Sequence, residues 1–172
     1  KEGARGVYFT PNPLRTDISA NQRNNIGVAR RGSSAKDTDV EEVRWLLIDV
    51  DPSRPVNASS NAVEKENALA VIGKVRAFLE SQGWPEPLFG DSGNGYHLMY
   101  EVEGLTPELH REILEYLSFR FSRDALAVVD QTVYNPSRIW KVYGTLSRKG
   151  ENSEERPWRV SHLISKDLPK KV

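Results

Sequence analysis

The alternation of apolar and polar positions predicts a series of strands interrupted by two long helices. The strongest strand signal is the almost continuous apolar run of residues 43–51, which is typical of a central strand covered on both faces. Shorter strands are predicted at residues 7–13, 87–90, 96–102, 126–130, 138–143 and 158–164. This order indicates an α/β (α+β) sandwich in which the helices cover one face of a mixed sheet.

Apolar residues recur at helical spacing in two segments. A helix is predicted over residues 62–82, and Gly83 follows it as a C-terminal stop. Its apolar positions are Leu69, Ile72, Val75, Phe78 and Leu79. The second helix begins at Thr106 as its cap, with Pro107 in the first turn and His110 predicted on its surface. Its predicted buried positions are Leu109, Ile113, Leu117 and Phe121.

Composition places the 172-residue chain among globular proteins of one domain, since 38% of its residues are hydrophobic. The absence of cysteine excludes a disulfide-stapled secreted module and any cysteine-ligated zinc or iron–sulfur site. No apolar run approaches the roughly 20 residues that cross a bilayer, and the N-terminus has no apolar signal-peptide core. We therefore expect a cytoplasmic protein without membrane contact. Because it begins with Lys1, we expect a domain of a longer protein.

Charge is unevenly distributed although the 24 basic and 24 acidic side chains cancel. Residues 1–36 carry seven basic and two acidic side chains, residues 37–137 carry eight and eighteen, and residues 138–172 carry nine and four. The single domain is divided into a basic N-terminal part (1–42) with a candidate helix at 21–32, a motif-bearing core (43–165) and the start of a linker (166–172). An acidic centre between basic arms is typical of sites where carboxylates hold metals and cations hold phosphates, although solvated helix faces give the same pattern.

The central strand ends in two acids, Asp49 and Asp51. Strand side chains alternate, so both carboxylates project from one face, about 7 Å apart at a rise of ~3.3 Å per residue. Two ionised carboxylates in such a place repel each other unless a cation lies between them. Mg²⁺ or Mn²⁺ is the expected cation because both are bound through oxygen ligands. Two acids entering a polar loop are the simpler explanation of the same pattern.

A second motif is a turn of small residues that leads into a strand at His97. Two glycines in three residues let backbone amides approach an anion and form a concave binding site. The imidazole of His97 can donate to a phosphate oxygen. The candidate nucleotide ligands of this motif are Ser92, Gly93, Asn94, Gly95 and His97. An ordinary Asn-Gly turn is the alternative.

A third acid, Asp130, ends another apolar segment and is placed to supply a third carboxylate to the same metals. A basic segment follows, with Arg138 and Lys141 and then Arg148 and Lys149. Arg138 and Lys141 differ in strand parity, so both face one site only if the strand has a bulge or one of them lies at the strand start. A basic edge strand that resists pairing is the alternative.

Three acids, a glycine-rich turn with a histidine, and a cationic strand are the parts of a two-metal phosphoryl-transfer site. No G-x-x-x-x-G-K-[ST] pattern is present, so a P-loop NTPase is not expected. LLIDVD, SGNGYH and VVD, in this order, resemble the three signature motifs of the archaeo-eukaryotic primase superfamily. The variant is similar to the primase-polymerase domains of phage, plasmid and prophage replication proteins. Further stretches that carry the resemblance, within residues 6–164, are Asp39 and residues 51–55, 83–85, 135–145, 148–150 and 156–159.

The resemblance implies an RRM-like mixed sheet that bears the acids and packs against an N-terminal α/β subdomain. It implies that Asp49, Asp51 and Asp130 coordinate two Mg²⁺ or Mn²⁺ ions beside the catalytic His97. The implied triphosphate ligands are His97, Ser92, the neighbouring amides, Arg138 and Lys141. Some superfamily members carry a zinc module, but this chain has no cysteine, so no zinc is expected.

The implied function is that of a template-dependent DNA primase and polymerase that uses NTPs or dNTPs. The expected partners are a single-stranded DNA template, a primer and a fused or separate helicase. For the nucleic-acid path we predict Arg15, Arg23, Asn24, Asn25, Arg30, Arg31, Arg148 and Lys149.

Two other classes of function fit the same residues. A metal-dependent nuclease or nucleotide cyclase would use the carboxylates alone, without a template. A non-catalytic single-strand binding module would use the basic arms for phosphates and exposed aromatic rings for bases. The candidate stacking residues are Tyr8, Trp140, Tyr143 and Trp158, although residues of these types more often belong to a core.

Overall fold

The computed structural model describes residues 3–18, 26–30, 32, 34–165, 167, 169 and 171–172. A 3₁₀ turn, Asp37–Asp39, lies in its N-terminal part. The strands and α-helices of this part of the chain are, in order, β1 (Tyr8–Phe9), β2 (Trp45–Pro52), α1 (Ala62–Ser81), β3 (Leu88–Asp91), β4 (Tyr96–Glu101), α2 (Pro107–Phe121), β5 (Ala127–Val129), β6 (Trp140–Lys141), β7 (Leu146–Ser147), β8 (Arg159–Val160) and β9 (His162–Leu163).

The main sheet has five strands in the order β5-β2-β4-β3-β9, and each neighbouring pair is antiparallel. The helix α1 joins β2 to β3, and β4 lies between these two parallel strands. The helix α2 likewise joins β4 to β5, with β2 between them. These are two split β-α-β units. The predicted mixed sheet is therefore wrong for the described pairs, because an intervening strand separates each parallel pair.

Both helices lie on one face of the sheet, as predicted, and the general α/β class is confirmed. The helix α1 contacts β2, β4 and β5, and α2 contacts α1 and β5. Lys65 of α1 lies over the ring of Tyr96, which is opposite Val50 in the β2–β4 pairing. The face of β2 that carries Val50 and Ile48 is thus the helix face. Since side chains alternate along a strand, Asp49 and Asp51 project from the other face.

The two helices begin at the predicted residues, but their buried faces differ from the predicted stripes. The side chain of Asn61 caps α1 and that of Thr106 caps α2. Leu69 and Leu109 are 44% and 47% exposed, whereas Ala68 and His110 beside them are 0% and 1% exposed. The predictions for Leu69 and Leu109 as core and for His110 as surface are therefore wrong.

A tertiary hydrogen bond accounts for the buried histidine. His110 Nε2 donates to the carbonyl oxygen of Leu47 in β2 at 2.9 Å. This bond offsets the cost of burying a polar ring, and no helical periodicity of apolar residues signals it.

The basic N-terminal part, residues 1–42, has little regular structure in the described part of the chain. That part contributes β1, the 3₁₀ turn, and a bridge between Leu14 and Val40. Residues 26–30 have no regular structure, and 21–25 of the candidate helix lie outside the described residues. The N-terminal part instead joins the rest through β1, which pairs with β6, and through the buried side chain of Asn12, which bonds to Arg44, Trp45 and Pro136.

Two small ribbons, β1–β6 and β7–β8, stand apart from the main sheet. The segment 158–164 does not form the single strand that was predicted. It breaks at Ser161, whose N–H and hydroxyl donate to the carbonyl of Thr145, so β8 pairs with β7 while β9 joins the main sheet. None of the described helices combines the length and the apolar character that crossing a bilayer requires.

Candidate active site

A cavity of about 910 Å³ opens over the second half of β2 and the end of β5, on the side of the sheet away from the helices. It gathers residues that are far apart in the sequence. The predicted site residues that line it are Asp49, Asp51, Ser92, Asn94, His97, Asp130, Arg138, Lys141, Arg148 and Lys149.

The three predicted metal-binding acids share this cavity because their strands are neighbours. Asp49 and Asp51 lie on one face of β2. Asp130 directly follows β5, and its N–H donates to the carbonyl of Asp49 at 2.8 Å. Burial raises the pKa of the Asp49 carboxyl well above its usual range, and the charges of Asp51 and Asp130 raise it further. Because the three carboxylates repel one another, binding of a proton or a cation is favoured here.

The partners of the three carboxylates differ. Asp49 Oδ1 is buried and has no hydrogen-bond partner. Arg54 holds both oxygens of Asp51, at 3.0 and 3.1 Å, and Asp130 Oδ1 accepts the N–H of Thr132 at 2.8 Å. Among the described residues, no group of three or more His, Asp or Glu side chains has the arrangement needed to hold a metal ion. The oxygen donors and the orphaned oxygen nevertheless fit a divalent cation chemically, because a carboxylate has lone pairs beyond those used by one partner.

His97 lies opposite Asp49 in the β2–β4 ladder and is buried beneath Trp140, with ring centroids 4.1 Å apart. Its Nδ1 is 2.9 Å from the hydroxyl of Tyr143, and its Nε2 is 3.5 Å from Asp49 Oδ1. Burial lowers the pKa of His97 to about 3, so the ring is neutral at pH 7. His97 can therefore offer one N–H to a ligand in the cavity, as a neutral donor.

The amides of the glycine-rich turn donate within the turn. The N–H of Gly93 donates to Asp91 Oδ1 at 2.6 Å, and that of Gly95 donates to Ser92 Oγ at 2.9 Å. Gly93 and Gly95 do not line the cavity, and their role as phosphate ligands stays a prediction. A Cβ on Gly95 would lie 2.2 Å from the carbonyl oxygen of Val50, so this glycine permits close strand packing.

The side chains of the same turn are held by its surroundings. Asn94 is buried, and its Oδ1 accepts the N–H of Ser60 at 3.0 Å. Ser92 and Asn94 line the cavity, whereas Asp91 is engaged by Lys65 at 2.6 Å. Phosphate contact from this turn would therefore come from side chains.

Two basic residues from the third motif reach the cavity by different routes. Lys141 is in β6, and its Nζ donates to the carbonyl of Leu146 at 3.1 Å. Arg138 precedes the strand and donates to the carbonyl of Thr132. No bulge is needed for both to face the cavity, because Arg138 lies outside β6 and is free of strand parity. Burial lowers the pKa of Lys141.

The remaining predicted nucleic-acid residues fall into three groups. Arg148 and Lys149 line the cavity, with the Arg148 guanidinium 5.0 Å above the ring of Trp158. Arg15 and Arg30 are exposed and do not line it, and Arg15 is paired with Asp17. Outside the described residues lie Arg23, Asn24, Asn25 and Arg31.

Two arginines of the basic C-terminal segment stabilise the fold. Arg156 forms a two-pronged pair with Glu64 at 2.8 Å and donates to the carbonyl of Ser59. Arg159 donates to the carbonyl of Ser60 at 2.6 Å. These two guanidinium groups hold the loop before α1 and do not line the cavity.

Sequence reasoning missed several residues of the site. Arg54 forms an ion pair with Asp51, and the Arg54 side chain is only 7% exposed. Arg5 and Glu151 also line the cavity. Tyr8, a predicted stacking residue, lines it too, and its ring lies 5.2 Å from Lys141 Nζ. Arg54 had a signal, because an arginine three residues after an acid in a loop can fold back on it. Arg5 had none, since only the pairing of β1 with β6 brings it close.

Among the candidate stacking residues, Trp140 is buried, with 2% exposure, and packs on His97. Tyr8 is 53% exposed, and Trp158 is half-buried at the cavity edge.

Comparison of the chain with protein-family models, curated proteins and solved structures gives no match.

Proposed function

We propose that this chain is a template-dependent primase-polymerase that transfers nucleotides from NTPs or dNTPs to a 3′-hydroxyl. The observation that carries the proposal is the opposition of charges within one cavity. The three aspartates, Asp49, Asp51 and Asp130, share it with six basic side chains, which are Arg5, Arg54, Arg138, Lys141, Arg148 and Lys149. Carboxylates beside a cationic wall suit a reaction in which metals and a triphosphate meet.

Asp49, Asp51 and Asp130 would hold the divalent ions. When bound, Mg²⁺ or Mn²⁺ supplies charge neutralisation at the α-phosphate and activation of the attacking hydroxyl. Binding would also satisfy the buried Asp49 oxygen, which has no hydrogen-bond partner. The unfavourable charge of the three carboxylates is therefore the feature that favours cation binding.

The other side chains have roles that follow from charge and position. His97, neutral in the cavity wall, would donate one N–H to a triphosphate oxygen. Lys141 and Arg138 would pair with the triphosphate and with the pyrophosphate as it leaves. Arg148 and Lys149, at the cavity edge with Trp158, would hold the template backbone, and the indole ring would stack on a base.

The fold is consistent with the proposal but does not select it. The order β2-α1-β3-β4-α2-β5, with strands in the order β5-β2-β4-β3, is that of a ferredoxin-like or RRM-like unit. The acids lie on the face of this sheet that the helices leave uncovered. The three motifs that resemble archaeo-eukaryotic primases therefore meet in one cavity, and we infer the catalytic fold of that superfamily. One fold serves many functions, so the proposed activity depends on the residues of the site.

The decisive experiment is primer synthesis on single-stranded DNA, with labelled NTPs and dNTPs supplied separately and Mg²⁺ or Mn²⁺ added. We expect D49A/D51A to abolish incorporation while D124A, a change at an exposed aspartate outside the cavity, leaves it intact. Incorporation by the double variant at the wild-type rate would refute the proposal. Metal-dependent loss of DNA or a cyclic nucleotide product, without a template, would replace it with a nuclease or a cyclase.

Template binding has its own test. Each phosphate contact to a single strand contributes roughly 0.7 to the slope of log affinity against log salt. We expect R148A/K149A to weaken single-stranded DNA binding and to reduce that slope by about 1.4. An unchanged slope, measured by fluorescence anisotropy between low and moderate salt, would place the template elsewhere. A helicase partner and a cytoplasmic location remain part of the proposal.

A further inference from the structure

Tyr143 is a half-buried neighbour of the site to which the proposed function gives no part. It follows β6, and its ring packs edge-on to His97 with centroids 5.9 Å apart. Its hydroxyl lies 2.9 Å from Nδ1 of His97. Burial raises the pKa of Tyr143, so the phenol keeps its proton and is available as a donor.

The space that Tyr143 occupies exists because residue 90 is glycine. A Cβ on Gly90 would lie 2.4 Å from the Tyr143 ring and 2.5 Å from its hydroxyl oxygen. Gly90 is in β3, directly opposite His97 in the β3–β4 ladder. The missing side chain therefore lets the phenol lie over the sheet beside the imidazole.

The two ring nitrogens of His97 face different partners. Nδ1 faces the hydroxyl of Tyr143, and Nε2 faces Asp49 Oδ1 at 3.5 Å. A neutral imidazole has one N–H and one lone pair. If Nδ1 held the proton, the hydroxyl of Tyr143 could only accept it, and the phenol proton would have no acceptor on His97. If Nδ1 accepts the hydrogen bond of Tyr143, Nε2 carries the proton towards Asp49 and the cavity.

We propose that Tyr143, seated in the gap left by Gly90, is a positioning residue that fixes His97 in the tautomer with its proton on Nε2. The nitrogen that faces the cavity is then always a donor. A donor suits an anionic oxygen, so this tautomer favours a phosphate ligand over a ligand that donates. The tautomer is a property of the protein itself, whereas its use for a nucleotide triphosphate rests on the proposed function.

The tautomer can be read directly from the ¹⁵N shifts of the histidine rings in long-range ¹H–¹⁵N spectra. The spectra are recorded at pH 8 on the full chain, with EDTA and with Mg²⁺. The signals of His97 are assigned by their loss in H97Q, since His110 and His162 are the other two histidines. We expect an N–H shift at Nε2 and a lone-pair shift at Nδ1 in the wild type. In Y143F we expect both shifts to move towards intermediate values.

A second pair of variants separates positioning from packing. G90A should displace the phenol and move the His97 shifts as Y143F does, while G90A/Y143A should recover thermal stability without recovering the tautomer. A proton on Nδ1 of the wild type under both conditions, or unchanged His97 shifts in Y143F, would overturn the inference.

Nucleotide kinetics distinguish this inference from the proposed function. If the chain incorporates nucleotides, Y143F should lower kcat/KM for the nucleotide about 10- to 100-fold, as loss of a supporting partner does at other sites. Absence of incorporation by the wild type would refute the proposed function and leave the tautomer intact. Incorporation by Y143F at the wild-type kcat/KM would overturn the catalytic use of the tautomer.

Discussion

Replacing Asp49 with asparagine tests the electrostatics of the site without relying on activity. Asparagine keeps the shape of the side chain and removes one negative charge from the cavity. In the wild type that charge is 21% exposed in its side chain, lies near Asp51 and Asp130, and has an oxygen without a hydrogen-bond partner. We expect D49N to stabilise the metal-free protein.

The magnitude follows from linkage. The folded-state pKa of Asp49 is raised above its unfolded value of about 3.9, so ionising it opposes folding. Stability is therefore lost as the pH rises from about 4 to the raised pKa, at about 1.4 kcal/mol per pH unit, and the loss persists at pH 7.5. A substitution that removes an unfavourable charge typically stabilises the folded state by about 0.5–2 kcal/mol. A chain of this size gains about 2–4 °C in Tm per kcal/mol, so we expect a rise of about 1–8 °C.

The assay is thermal unfolding at pH 7.5, first in EDTA and then in Mg²⁺ or Mn²⁺. At 100 times the Kd, a metal that binds only the folded state stabilises it by about 2.7 kcal/mol. The wild type should gain this and D49N should gain much less, so the order of their Tm values should reverse. The reasoning is refuted if D49N unfolds below the wild type in EDTA and shows the same metal-dependent shift.

The neighbouring acid is the matched control, with the opposite sign. Asp51 is held at both oxygens by Arg54, whose side chain is 7% exposed. D51N would leave this guanidinium with a neutral partner, so we expect a loss of about 1–3 kcal/mol in EDTA. Equal effects of D49N and D51N would show that charge pairing does not govern the site.

Three further predictions concern the scaffold. E64Q should cost about 1–2 kcal/mol at pH 7, because Arg156 lowers the pKa of Glu64. This contribution is complete above pH ~4.3 and is lost as the pH falls through the folded-state pKa, so urea unfolding at pH 3 should show a smaller difference than at pH 7. H110A should cost about 2–4 kcal/mol in the same assay, since it leaves a cavity and removes a buried hydrogen bond. G95A should cost about 2–3 kcal/mol, because its Cβ would meet the carbonyl of Val50.

Matched variants keep these predictions specific. H162A changes an exposed histidine and should alter stability by less than about 0.5 kcal/mol. G73A adds a Cβ that meets nothing within 4 Å on the exposed side of α1, and should stabilise by about 0.5–1 kcal/mol. A G95A variant as stable as G73A, an H110A variant as stable as H162A, or an E64Q deficit that is unchanged at pH 3 would contradict the structural causes assigned to these effects.

The helix starts and the central strand were predictable because their signals are local. Asn61 and Thr106 cap the first turns of their own helices, and the apolar run of β2 lies in one stretch of chain. The shared direction of Asp49 and Asp51 was equally predictable, since it depends only on the two-residue period of an extended backbone.

Other features depend on segments that approach from elsewhere in the chain. The antiparallel order of the sheet arises because β4 inserts between β2 and β3. The burial of His110 depends on a hydrogen bond to a carbonyl 63 residues away in the sequence. Arg156 has a structural role because it forms an ion pair with Glu64. A local pattern cannot encode which distant partner satisfies a polar group.

By itself, the sequence determined the two long helices, the central strand and the shared direction of Asp49 and Asp51, because backbone geometry sets these within a few residues. The tertiary structure decided what those acids meet. In the folded chain, Asp49 Oδ1 has no hydrogen-bond partner, Arg54 donates to the carboxylate of Asp51, and the hydroxyl of Tyr143 contacts the ring of His97. Electrostatic and hydrogen-bond energies depend on distances through space, and only the folded chain sets these distances.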